Sequence, residues 1–183
     1  MIPEIDYGPL HKLVGKWAGN KGSDISPLPD GSTETPYHEE IELFASGNLK
    51  NAQTQTVSML RYHRVVRRSS NNEVFHDESG YYIWDAENEI VINAFVLPRG
   101  ISVLASGNYK EIDGEIEMDL EADCDESCWG ILQSPFLEKK AKTSAYSKKI
   151  KIGKDYWSYK EKTVLDIYGK SFDHFDSNTL SLV

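Results

Sequence analysis

Gly15-Lys16-Trp17-Ala18-Gly19 follows the apolar pair Leu13-Val14 close to the N-terminus. Trp buries a large area and its indole N–H needs a partner. A glycine on either side permits close backbone approach or a sharp bend within a strand. The stretch therefore predicts a strand that opens a barrel or sandwich and plugs one end with Trp17. Just upstream, Pro9-Leu10-His11-Lys12-Leu13-Val14 predicts a short helical turn that brings Leu10, Leu13 and Val14 to one side.

Outward from that strand the chain reads as wall. Asn20 to Tyr37 is rich in Gly, Ser, Asp and Pro, which predicts a long loop, either a lid over a site or a surface connection. From His38 the pattern becomes two-fold, with Ile41 and Leu43 alternating with Glu40 and Glu42, and a turn is expected at Ser46-Gly47-Asn48. Asn51 to Arg68 reads as a long strand with Val57, Met59, Arg61, His63 and Val65 on one face. Thr56, Ser58, Leu60, Tyr62 and Val66 take the other. Glu73 to Asp85 carries His76, Glu78, Gly80, Tyr82 and Trp84 on one face. Further strands follow at Glu89–Leu97, Ile101–Tyr109, from Ile116 through Leu120, and at Tyr156–Tyr168, and Ser171–Val183 closes the chain. Between them, Gly130 to Ile152 admits a short helix capped by Ser134-Pro135 or one extra strand, and the strand is the preferred reading.

Nine to eleven strands joined by short turns must close or leave exposed edges. The expectation is one domain, residues 1–183, all-β, folded as an up-and-down antiparallel barrel of about ten strands after a short N-terminal helical turn. Faces that mix aromatic and polar groups, such as Trp157, Tyr159, Glu161, Thr163 and Leu165, suit a ligand cavity better than a dry core.

The 183 residues carry a net charge of −9, which disfavours a nucleic-acid partner. Arg61 to Arg68 is a local basic exception, read as the polar face of a strand or as a surface for an acidic ligand. No run of about 18 apolar residues predicts a membrane span. Met1 to Asp6 lacks the basic and apolar regions of a signal peptide. Cys124 and Cys128, four apart and without a companion pair, read as free thiols, and a cytoplasmic location is expected.

No nucleophile elbow, phosphate loop or paired-His metal motif occurs, so the five histidines become the informative set. His76 and Glu78 share a strand face and can share a cavity. His174, in the apolar-flanked closing strand, is either structural or the kind of imidazole that an axial heme ligand requires.

Gly15-Lys16-Trp17-Ala18-Gly19 resembles the Gly-x-Trp-x-Gly opening strand of the calycin group, a fatty-acid-binding-protein-like assembly, and in particular of the nitrobindin-type heme-binding β-barrels. Tyr37-His38-Glu39-Glu40-Ile41-Glu42-Leu43-Phe44, Phe75-His76-Asp77-Glu78-Ser79-Gly80-Tyr81 and the terminal Phe172-Asp173-His174 are similar to that family's later motifs, in the same order. The resemblance implies a ten-stranded barrel holding ferric heme near its open end, with reactions toward nitric oxide or peroxynitrite. Carried over, His174 would be the axial ligand of the heme iron and His76 would line the heme pocket.

Two other readings stand beside it. One is a heme-free, lipocalin-like carrier whose pocket is lined by Glu78, Tyr82, Trp84, Trp157 and Tyr159. The other is an enzyme using His76 and Glu78 as acid and base. The expected partner is heme or a small hydrophobic ligand, with neither nucleic acid nor membrane, and a homodimer is left open.

Overall fold

Side chains alternate inward and outward through eleven strands, and backbone hydrogen bonds close ten of these into one antiparallel barrel. The computed structural model describes residues 5–183; Met1–Glu4, part of the stretch read for a leader, lie outside the described residues. A 3-10 turn (Gly8–Leu13) leads into β1 (Gly15–Leu28), β2 (Gly31–Asn51), β3 (Gln55–Arg68), β4 (Val74–Asp85), β5 (Ile90–Leu97), β6 (Ile101–Ile112) and β7 (Glu115–Asp123). After them come the short β8 (Ile131–Gln133), helix α1 (Pro135–Lys140), β9 (Ala141–Ile152), β10 (Tyr156–Ile167) and β11 (Lys170–Leu182). Each of β1 to β6 pairs with the next, β7 passes to β9, β9 to β10 and β10 to β11, and β11 returns to β1. β8 lies outside this circuit and pairs with β6 at Ile101–Val103. No helix is long and apolar enough to cross a membrane among the described residues.

The end of the barrel near the 3-10 turn is closed by packing. Leu10 and Leu13 are fully buried and Trp17 is 2 % exposed. The Trp17 indole N–H donates to the Leu13 carbonyl at 2.9 Å, and its ring meets Trp157 edge-on with centroids 6.2 Å apart. Ile41, Leu60, Tyr82, Trp84, Met118, Ile152 and Leu180 complete this half of the core. One glycine is indispensable to the wall here: a Cβ on Gly107 would lie 1.6 Å from the Asp119 carbonyl oxygen across the β6–β7 ladder.

Three local expectations are revised. β2 does not turn at Ser46-Gly47-Asn48 but runs on to Asn51, with a register shift against β3 between Ala45 and Asn48. Asn20 to Tyr37 is not a loop: β1 and β2 pair continuously from Gly22↔Tyr37 to Leu28↔Gly31, turning at Pro29-Asp30. Beyond Ile25, β1 no longer pairs with β11, and β2 meets β3 only from Tyr37 onward. The tip of this hairpin is a two-stranded ribbon with free outer edges, where proline removes no ladder hydrogen bond. Between Gly130 and Ile152 the structure holds both alternatives, since α1 precedes β9. The Ser134 hydroxyl accepts from the Leu137 N–H at 3.4 Å, and Pro135 takes the first turn, where its missing N–H has no consequence.

Candidate functional site

The parity that puts apolar side chains into the closed half also carries charged ones inward toward the open end. Ile41 and Leu43 on β2 share a face with Tyr37 and Glu39; Leu60 and Tyr62 on β3 share one with Arg64; Ile150 and Ile152 on β9 share one with Lys148; Trp157 and Tyr159 on β10 share one with Glu161. Buried charge is tolerated only when paired and hydrogen-bonded, and these groups meet around Arg64. Its Nε donates to Glu39 Oε2 at 2.7 Å and its Nη2 to the Tyr159 hydroxyl at 2.6 Å. Its Nη1 lies 3.6 Å from carboxylate oxygens of both Glu78 and Glu161. Tyr159 and Asn178 each donate to Glu39 Oε1 at 2.8 Å, and Lys148 Nζ sits 3.0 Å from Glu161.

Glu78, the group expected beside His76, is 1 % exposed and lies at the edge of this layer. One oxygen accepts from the Tyr62 hydroxyl, and the other is 3.0 Å from His76 Nε2. Burial pushes its carboxyl up, but the His76 hydrogen bond and the charges of Lys148 and Arg64 outweigh burial and hold it well below the usual carboxylate range. Such a group is a poor proton carrier near neutrality. Glu161 is held down in the same way, with Lys148 and Arg64 opposing its burial.

Nearer the open end, Asp24 on β1 faces Asp176 on β11 directly across the ladder. His174 stands two residues from Asp176 on the same face, opposite Thr163 and next to the Leu165↔Phe172 pair. His174 Nε2 is 2.8 Å from Asp24 Oδ2 and 3.4 Å from Asp176 Oδ2. Burial opposes its charged form, yet the Asp24 hydrogen bond and both carboxylates raise its pKa above the ordinary imidazole value. Burial, reinforced by Glu161, pushes the Asp176 carboxyl up to about 7. In the combined layer, five carboxylates (Asp24, Glu39, Glu78, Glu161 and Asp176) stand against two permanent cations, Arg64 and Lys148, among the described residues.

His76 and His174 therefore both lie toward the open end, each about one-fifth exposed. Tyr82, Trp84 and Trp157 lie deeper, packed in the core, and Tyr159 belongs to the polar layer. Sequence reasoning passed over Asp24, Glu39, Arg64, Lys148 and Asp176 as site residues. Their strand parity was the available signal. A separate groove of about 830 Å³ lies on the outer face, with Phe44, Tyr81, Val96, Leu104 and Leu132 in its wall. Neither His76 nor His174 lines that groove; both stand toward the barrel end opposite the 3-10 turn. Cys124 and Cys128 beside that groove are free.

Comparison with known proteins agrees with this architecture. The family model of the THAP4-like, heme-binding beta-barrel domain matches residues 6–181. The crystal structure of Rv2717c from M. tuberculosis is similar over 97 % of this chain and 99 % of its own, with a TM-score of 0.71 and 21 % identity, a likeness of fold. No curated protein matches the chain.

Proposed function

The chain belongs to the THAP4-like heme-binding β-barrel family, and from that premise we propose that it binds heme at the open end of the barrel with His174 as axial ligand. The observation that carries the reading is His174 itself, an imidazole one-fifth exposed at the mouth and flanked on the inner wall by half-buried Phe172 and Leu165. A nitrogen donor beside apolar side chains fits a macrocycle resting at the mouth. Heme iron takes the Nε2 of a histidine, because Nδ1 lies next to Cβ and is crowded against a planar ring. Here Nε2 is engaged by Asp24, a contact that His174 would give up in holding heme.

When bound, heme supplies an iron centre that can react with small molecules such as nitric oxide or peroxynitrite, and we assign that chemistry to this site. The chain's own residues set the geometry. His174 holds the group, and His76 lines the wall on β4, separated from β11 by β1, β2 and β3. The Arg64-centred layer beneath is filled with charged and hydrogen-bonded groups, whose desolvation or disruption keeps an apolar macrocycle from sinking deeper.

Titration with hemin, followed at the Soret band, tests the reading. The wild type should give a saturable band, and His174→Ala should lose it. A wild type with no saturable band would overturn the heme reading. A band retained in His174→Ala would move the ligand to another histidine, with His76 next in line.

A further inference from the structure

We propose that Asp24, His174 and Asp176 form a binding site for a divalent first-row transition-metal ion such as Zn²⁺ or Co²⁺, held by protein side chains alone. The three donors come from two neighbouring strands whose register puts Asp24 directly across from Asp176. One ligand atom from each lies within 4.8 Å of the others. Bonds of 2.0–2.2 Å in a tetrahedral site space the ligands about 3.4 Å apart. His174 Nε2 and Asp176 Oδ2 already stand at 3.4 Å, and Asp24, at 2.8 Å, has only to draw back slightly.

The donor chemistry selects the ion. One imidazole nitrogen with two carboxylate oxygens suits a borderline divalent metal. Ca²⁺ takes six to eight oxygen ligands and Mg²⁺ keeps several waters, so three mixed donors serve both poorly. Three protein ligands also leave a fourth position for water or another small ligand.

Charge makes a second, independent case. The inner wall holds five carboxylates against Arg64 and Lys148. Those two cations pair with Glu39, Glu78 and Glu161, and the ion-pair partner of Asp24 and Asp176 among the described residues is His174. A divalent cation there neutralises the pair. The other grouping of this kind, Asp123, Cys124 and Asp125, consists of consecutive residues at the end of β7 and in the turn after it, open to solvent rather than set on the inner wall.

The site does not rest on heme binding, although both draw on His174 Nε2: a bare ion uses it with two carboxylates, and heme iron uses it alone. The two are alternative occupants.

Full-length protein, freed of metal with a chelator, is titrated with Co²⁺, whose d–d absorption reports its ligands, and with Zn²⁺ by calorimetry. One ion per chain is expected, with affinity at least 10-fold weaker in Asp24→Asn and Asp176→Asn. In the wild type, Zn²⁺ should shift the ring resonances of His174 and not those of His11, His38 or His63, a readout that needs no variant to fold. Absence of a saturable Co²⁺ band, or saturation unchanged in both variants, would overturn the proposal. A hemin band in Asp176→Asn alongside lost Co²⁺ binding supports it, since that variant keeps His174. A wild type that binds Co²⁺ but not hemin supports the metal site and sinks only the heme reading; hemin without Co²⁺ does the reverse.

Discussion

Arg64 organises the interior more than any other residue. It is 2 % exposed and touches Glu39, Glu78, Glu161 and the Tyr159 hydroxyl. Its guanidinium carbon also lies 4.9 Å from the Tyr159 ring centroid. Replacing it with Met of similar length would leave Glu39 buried with its charge partner gone and weaken the balance at Glu78 and Glu161. Breaking a buried pair from one side costs about 3–5 kcal/mol. Arg64→Met should therefore lower the urea midpoint by that equivalent at neutral pH, and a midpoint within 1 kcal/mol of wild type would show the network to be dispensable. Lys is no conservative substitute, because it lacks the planar fork that serves Glu39 and Tyr159 together. Sequence reading placed Arg64 inside a basic run, read as the polar face of a strand or as a surface for an acidic ligand. Its parity with Leu60 and Tyr62 pointed inward. What makes a charge tolerable there, however, is partners 25 and 95 positions away, and no local pattern contains them. His76 and Glu78 were legible as a same-face pair because two-residue spacing on one strand is local.

At the scale of elements, alternation and turn residues defined most strands, because each inward face is continuous and each turn has its own chemistry. The ribbon of β1 and β2 escaped this logic. Three prolines in Asn20 to Tyr37 argue against a central strand, but the hairpin tip has free outer edges and needs no N–H there. The same edge logic explains β8, which pairs with the part of β6 that β7 does not reach. Elsewhere the ladder is intolerant. Gly107 pairs with Leu120, and an added Cβ would meet the Asp119 carbonyl oxygen at 1.6 Å. That neighbour is backbone, which cannot rotate aside as a side chain can. Gly107→Ala should cost about 1–3 kcal/mol through forced backbone shifts, seen as a lower thermal midpoint with faster amide exchange along β6 and β7. An unchanged melting curve would mean that the two strands separate there without penalty.

For the whole molecule, closure of the barrel was readable and its contents were not. A closed wall follows from the strand count and the need to hide edges, whereas whether the interior is apolar, ligand-filled or ionic depends on which strands become neighbours. That ionic interior gives a pH dependence of definite sign. Glu78 is faced by His76 on its own strand, Arg64 and Tyr62 on β3, Lys148 on β9 and Glu161 on β10. Burial raises its pKa, but the His76 hydrogen bond with the Lys148 and Arg64 charges wins and sets the folded value below the unfolded one. A depressed carboxylate contributes stability that is fully present above its unfolded pKa, about 4.3 for Glu. That contribution is lost as pH falls from there through the folded value. Urea midpoints measured from pH 7 to pH 3 should fall below about pH 4.3 in the wild type, and less steeply in Glu78→Gln, which has no such proton to take up. The variant should also be weaker at neutral pH, because it leaves His76, Arg64 and Lys148 facing a neutral amide. Parallel slopes in the two proteins below pH 4.3 would mean that Glu78 is not held ionised by its partners, and the charged layer would then have to be redrawn around Glu161 and Glu39.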